Sequence, residues 1–212
     1  MFNLSRARKL LQLSLIFPAA LSLGMLATGG CVTACAPAKA APGIFTGSKP
    51  RTDADFRLLQ TKGIRTILNV ETLYSHVEPE RRLAWQYGFD FRSVPIFPSP
   101  LQPREQRVKE ALLIISDRSL HPVFVHCLVG EDRATFLVAL YRIYYENWQP
   151  EEAWREMLRA GFHDNWWLHG FRTYFWSHTH KPDWVQKKAL SETRRTPACK
   201  SIGHSEIVAC CP

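Results

Sequence analysis

The run Phe124-Val125-His126-Cys127-Leu128-Val129-Gly130-Glu131-Asp132-Arg133 brings a thiol, an imidazole and a guanidinium into one short loop, with five residues between Cys127 and Arg133. An apolar run, Pro122 to Val125, enters this loop, and a longer apolar segment leaves it from Thr135. That pattern places it between a buried strand and a buried helix. The first N–H groups of such a helix have no partner within it and point back at the loop, where the helix dipole adds partial positive charge. An anion of phosphate size suits that place. The backbone from Leu128 through Val129, Gly130, Glu131 and Asp132 to Arg133 would line it, and Gly130 lets successive N–H groups converge on one point. A thiolate is favoured there too, so Cys127 is the expected nucleophile, with Arg133 folding back over the loop.

The elements that must position this loop can be traced along the chain. Thr52 is an N-cap for a helix through Gln60, stopped by Lys62-Gly63. Ile64 to Val70 and Phe89 to Ile96 read as strands, and Glu78 to Tyr87 as the helix between them. The Pro-rich Phe97 to Pro103 is a loop, followed by a helix over Arg104 to Ser116. Thr135 to Tyr145 is apolar around its whole circumference, as a helix buried on all sides must be. A further helix starts at Gln149-Pro150, with Ala153, Trp154, Met157 and Leu158 toward the core. The last helix carries a stripe of Trp167, Leu168, Phe171, Tyr174 and Phe175. Strands alternating with helices predict an α/β fold: a central, mostly parallel sheet of about four to five strands with helices on both faces.

The first 35 residues read as an export signal, with Arg6, Arg8 and Lys9 before an apolar run from Leu10 to Ala27. Val32-Thr33-Ala34-Cys35 resembles the bacterial lipoprotein box. That resemblance implies a lipid on Cys35 and a protein held at a membrane facing the periplasm or the outside. Cleavage after Ala38-Lys39-Ala40 or retention of the segment as a membrane anchor are the alternatives. Residues 36 to 46, rich in Ala and Pro, read as a tether, residues 47 to 180 as the catalytic domain and residues 181 to 212 as a flexible tail. In an oxidising compartment Cys199 of the tail can pair with Cys210 or Cys211, leaving one thiol over. The chain has 27 basic and 19 acidic residues; without the three basic residues of the signal the excess falls from 8 to 5. No basic stripe with interleaved aromatics is present, which argues against a nucleic-acid partner.

The His-Cys, five residues, Arg spacing is similar to the signature of the cysteine-dependent phosphatases, and residues 44 to 177 resemble their dual-specificity branch. Phe45-Thr46-Gly47-Ser48-Lys49-Pro50, the strand Gly63-Ile64-Arg65-Thr66-Ile67-Leu68 and Gly161-Phe162-His163 carry the wider likeness. The resemblance implies a two-step hydrolysis of phosphomonoesters through a phosphocysteine on Cys127. Arg133 would hold two phosphate oxygens and His126 would fix the loop, without a metal or other cofactor.

Two departures from the family pattern stand out. Ala134 replaces the hydroxyl residue that follows the Arg, so breakdown of the phosphoenzyme is expected to be slow. Phe97 to Pro103 holds no carboxylate to serve as general acid, and Asp90 and Glu105 flank it poorly. Asp132 is the candidate in their place, as in the myotubularin lipid phosphatases; Asp164 beside His163 is the next. The substrate class stays open between a phosphotyrosine or phosphoserine protein and an inositol phosphate or phosphoinositide. A weakly catalytic phosphate-binding module is the non-enzymatic alternative.

Overall fold

The computed structural model describes residues 35–186. The expected signal segment before Cys35 and the tail cysteines Cys199, Cys210 and Cys211 lie outside these residues. Five strands, β1 (Ala38–Ala41), β2 (Ile44–Gly47), β3 (Thr66–Asn69), β4 (Asp90–Ser93) and β5 (Val123–His126), form one sheet in the order β1-β2-β5-β3-β4. All neighbours are parallel except β1 and β2. The central strand β5 pairs Ile44 with Val123 on one side and Thr66 with Val123 on the other, and all four of its residues are buried. Such double burial explains why it reads as an unbroken apolar run rather than an alternation.

Side-chain alternation along the strands divides the core into two layers. Leu68, Val123 and Val125 face a cluster built from α3 (Glu105–Ile115), α4 (Arg133–Glu146), α5 (Pro150–Arg159) and α6 (His169–Ser177). Ile67, Phe91 and Phe124 face the opposite side, where α1 (Asp53–Thr61) contributes Phe56 and Leu59 and α2 (Tyr74–Gln86) contributes Val77 and Ala84. Helices therefore cover both faces, as expected. The helix that leaves the Cys127 loop is α4, and its residues from Arg133 to Leu140 are all buried.

Several boundaries differ from the sequence reading. Residues 38 to 47 are not a tether: Pro42-Gly43, with Gly43 at φ +75°, turns β1 back onto β2, and β2 is held by β5. Main-chain pairing recruits this Ala- and Pro-rich stretch, and composition carries no record of it. The structured region also runs past residue 180, because Val185 is buried and the Trp184 ring meets Tyr144 edge-on at 6.1 Å. Helix α2 starts at Tyr74, ahead of Pro79 rather than at Glu78; the carbonyl that Pro79 cannot bond belongs to the exposed Ser75, where water can reach it. Leu158 and Trp167, expected in the core, are exposed.

Helix α1 opens with a capping box in which the Thr52 side chain accepts from the Asp55 N–H and the Asp55 side chain accepts from the Thr52 N–H. Burial alone would raise the Asp55 carboxyl. Hydrogen bonds from the Arg51 and Thr52 N–H groups, the Thr52 hydroxyl and the Cys35 N–H outweigh it and hold the carboxyl below the usual 3.8. A carboxyl depressed in the folded state stabilises it fully above the unfolded value, and that contribution is lost as pH falls through the folded value. Asp55→Asn is therefore expected to lower the melting temperature at pH 7 while narrowing the difference between pH 7 and pH 3. An unchanged pH difference would show that the cap is not the acid-sensitive element.

Candidate active site

Strand β5 ends at His126, α4 begins at Arg133, and the six residues between form a loop at the carboxyl ends of three parallel strands. Cys127 lies buried at its base, and its Sγ accepts the Gly130 N–H at 3.3 Å. Gly130 stands at φ +91°, and a Cβ there would come within 2.1 Å of the Gly47 carbonyl oxygen. Only glycine satisfies both demands, a left-handed backbone and contact with a neighbouring strand end. The loop is also gripped through the Lys49 N–H, which donates to the Leu128 carbonyl at 3.4 Å. Arg133, the first residue of α4, is buried and its Nη1 donates to the Val70 carbonyl at 3.4 Å, which holds the guanidinium beside the end of β3.

Behind the loop lies a set of buried polar groups. His126 is fully buried: its Nε2 approaches Glu80 Oε1 to 2.7 Å without the alignment of a hydrogen bond, and its Nδ1 is 3.1 Å from the Cys127 carbonyl. The ring also stacks on Phe124 at 5.4 Å. Glu80, from α2, accepts from Asn69 Nδ2 at 2.7 Å and lies 3.6 Å from Lys49 Nζ. Lys49 reaches Glu71 at 3.3 Å, and Glu71 meets His76 Nδ1 at 2.7 Å. Burial would raise the Glu71 carboxyl, but the hydrogen bonds and charges of His76 and Lys49 hold it below the usual carboxylate range. These groups fix His126 beside Cys127 from both sides. Glu80, Asn69 and Glu71 escaped sequence reading; a polar Asn69 closing an apolar strand was the only local signal.

The carboxylates considered as general acid are mostly engaged elsewhere. Asp90 is clamped by Arg92 at 2.8 and 2.9 Å, Asp164 meets Arg172 at 3.1 Å, and Glu105 lies in the first turn of α3. Asp132 stands at the N-cap of α4 but makes no capping bond. Its Oδ1 instead accepts the His163 N–H at 3.0 Å and lies 3.1 Å from His163 Nδ1. Thr135 does not replace the hydroxyl missing at the buried Ala134, because its Oγ1 donates to the carbonyls of Glu131 and Asp132. Leu128 and Val129 are exposed in the loop, and Glu131 is half-buried.

Cys35 is the first described residue. It is 1 % exposed in the cluster of Phe56, Leu59, Ile67 and Phe124, and burial, then the charges of Asp55 and Glu80, push its thiol up to about 12.

The protein family described as "polymorphic toxin system, DSP-PTPase phosphatase" matches residues 42–147. Dual specificity protein phosphatase TpbA of Pseudomonas aeruginosa (strain UCBPP-PA14) is 31% identical over 103 residues, covering 46% of this chain and 44% of TpbA. Inositol diphosphatase DSP3 of Arabidopsis thaliana is 27% identical over 106 residues, covering 47% of this chain and 50% of DSP3. The chain thus spans about half the length of the curated relatives it matches. The core catalytic domain of the PP-IP phosphatase SIW14 from S. cerevisiae superposes with a TM-score of 0.60 at 19% identity, over 76% of this chain and 94% of that domain, which shows the shared fold.

Two substitutions probe the geometry. Glu80→Ala removes the carboxylate that Asn69, Lys49 and the buried His126 surround and is expected to destabilise the fold by about 3–5 kcal/mol, with a smaller loss for Glu80→Gln. Gly130→Ala should weaken vanadate binding by at least about tenfold, because the loop can no longer rest on Gly47. Wild-type stability in Glu80→Ala, measured by denaturant titration, would contradict the first expectation, and wild-type vanadate affinity in Gly130→Ala the second.

Proposed function

From the fact that this chain belongs to the polymorphic-toxin-system DSP-PTPase phosphatases, we propose that it is a phosphomonoester hydrolase that works through a phosphocysteine on Cys127. The observation that carries this reading is the Gly130 N–H directed at Cys127 Sγ in a loop closed by Arg133 at the start of α4. Loop N–H groups and a helix N-terminus favour a thiolate and the dianion it attacks. In this reading the sulfur attacks phosphorus and Arg133 meets two equatorial oxygens with its planar fork. The leaving oxygen takes a proton from the Asp132 side of the loop. Water then attacks the phosphocysteine, and the absence of a hydroxyl at Ala134 makes this second step the slower one.

Two substrate classes have separate support. Leu73 and Tyr74 after β3, Phe97 and Leu101 after β4, and Val129 on the loop are exposed large apolar side chains at the carboxyl ends of parallel strands. A rim of this kind suits a phosphate carried on an apolar or aromatic group, such as phosphotyrosine in a protein. The second reading, an inositol phosphate, draws on the name of DSP3 and on a pocket of about 350 Å³ beside Leu128 lined by Lys49, Arg51 and His76. The basic and apolar opening of the chain supports export to the periplasm or cell surface in either case.

Cys127→Ser is nearly isosteric and should abolish phosphate release while leaving phosphate-ester binding and the melting temperature close to wild type. Persistent turnover in that variant, or binding without any turnover in the wild type, would remove the enzymatic reading in favour of a phosphate-binding module.

A further inference from the structure

Resting on the phosphocysteine reading, we infer that His163 is the group that exchanges protons with the reacting oxygens and that Asp132 is its positioning residue. Phe97 to Pro103 supplies no carboxylate, Glu105 lies in the first turn of α3, and Asp90 and Asp164 are bound to Arg92 and Arg172. Asp132, beside Arg133, turns its carboxylate outward to the connection between α5 and α6. There one oxygen accepts both the His163 N–H and its Nδ1–H. That Oδ1 is committed to two donors, which ties Asp132 to the histidine. It orients the imidazole, much as a carboxylate behind a catalytic histidine fixes tautomer and ring plane.

With Nδ1 committed to Asp132, Nε2 is the nitrogen available for exchange. The ring is 60% exposed, and Nε2 faces Glu131 Oε2 at 3.9 Å. Glu131 and Asp132 are the charged groups against it from the loop, while Asp164 on its own connection is turned to Arg172. The connection sits close to the loop because Gly161, at φ +101°, has no side chain: a Cβ there would lie 2.9 Å from Glu131 Cγ. The histidine is therefore mounted on the rim of the phosphatase loop by a backbone bond, a side-chain bond and a glycine contact.

In the first step the sulfur–phosphorus bond forms as the phosphorus–oxygen bond breaks. The electron pair released on the leaving oxygen takes the proton from Nε2, leaving a neutral imidazole. In the second step that Nε2 removes a proton from water as the new phosphorus–oxygen bond forms. The sulfur–phosphorus bond breaks, and thiolate and imidazolium are restored. One residue thereby answers the missing loop acid, while the position after Arg133 still lacks a hydroxyl.

The test uses rapid-mixing measurements of the first step on the whole chain, with nitrophenyl phosphate, whose phenolate needs little protonation, and with an alkyl phosphate such as phosphoserine. His163→Ala should slow the alkyl ester by roughly 10²- to 10⁴-fold and the nitrophenyl ester by less than about tenfold, and added imidazole should recover part of the alkyl loss. Asp132→Asn should show the same ester preference with a smaller loss and no response to imidazole. The preserved nitrophenyl burst in both variants reports an intact Cys127 loop. Equal losses on the two esters in His163→Ala without imidazole recovery would overturn the inference, as would an alkyl-specific loss confined to Asp132→Asn. If wild type gives no Cys127-dependent burst even with nitrophenyl phosphate, the phosphocysteine reading fails, and this inference with it.

Discussion

A carboxylate and an imidazole buried together, Glu80 against His126 at 2.7 Å with almost no solvent exposure on either, hold the molecule's chemistry in place. Neither group tolerates burial alone, since an uncompensated polar or charged side chain in the interior costs several kcal/mol. The contact joins α2 to the end of β5 directly behind Cys127. It draws in Asn69 from the end of β3 and Lys49 from the connection after β2. Three strand ends and one helix are thereby tied around a single histidine. The loop that follows inherits its position from that knot, because His126 Nδ1 lies against the Cys127 carbonyl and the Lys49 N–H holds the Leu128 carbonyl.

On this base the loop closes by backbone contact rather than side-chain packing. Gly130 rests on the Gly47 carbonyl and turns its N–H to the sulfur, while Arg133 is anchored by Val70. On the far side Asp132 reaches the α5–α6 connection instead of capping its own helix. The Cys127 loop and the α5–α6 connection are separate elements joined through Asp132 and His163.

Much of this was legible in the sequence where local rules govern. The apolar run into Cys127, the glycine at position 130 and the fully apolar helix after Arg133 are consecutive, and each follows from strand, turn or helix requirements. Thr52 with Asp55 marked the start of α1 correctly. The contacts that were missed join residues distant along the chain: Glu80 to His126 and Asp132 to His163 depend on where α2 and the α5–α6 connection dock. The β1–β2 hairpin was hidden because Ala and Pro signal a linker by composition, whereas pairing to β5 is decided by main-chain groups common to every sequence. The burial of Cys35 among Phe56, Leu59 and Phe124 likewise depends on where α1 docks and leaves no local mark.

The central claim is that Cys127 takes the phosphoryl group covalently during turnover. Mixing the protein with nitrophenyl phosphate, quenching in acid within the burst and mapping the digested chain by mass spectrometry tests it most directly. The slow breakdown expected from Ala134 favours accumulation of the intermediate. The account predicts one phosphoryl adduct, on the peptide containing Cys127, formed in step with the nitrophenol burst. A burst and steady release of phosphate with Cys127 unmodified throughout, or an adduct on a different residue, would contradict it.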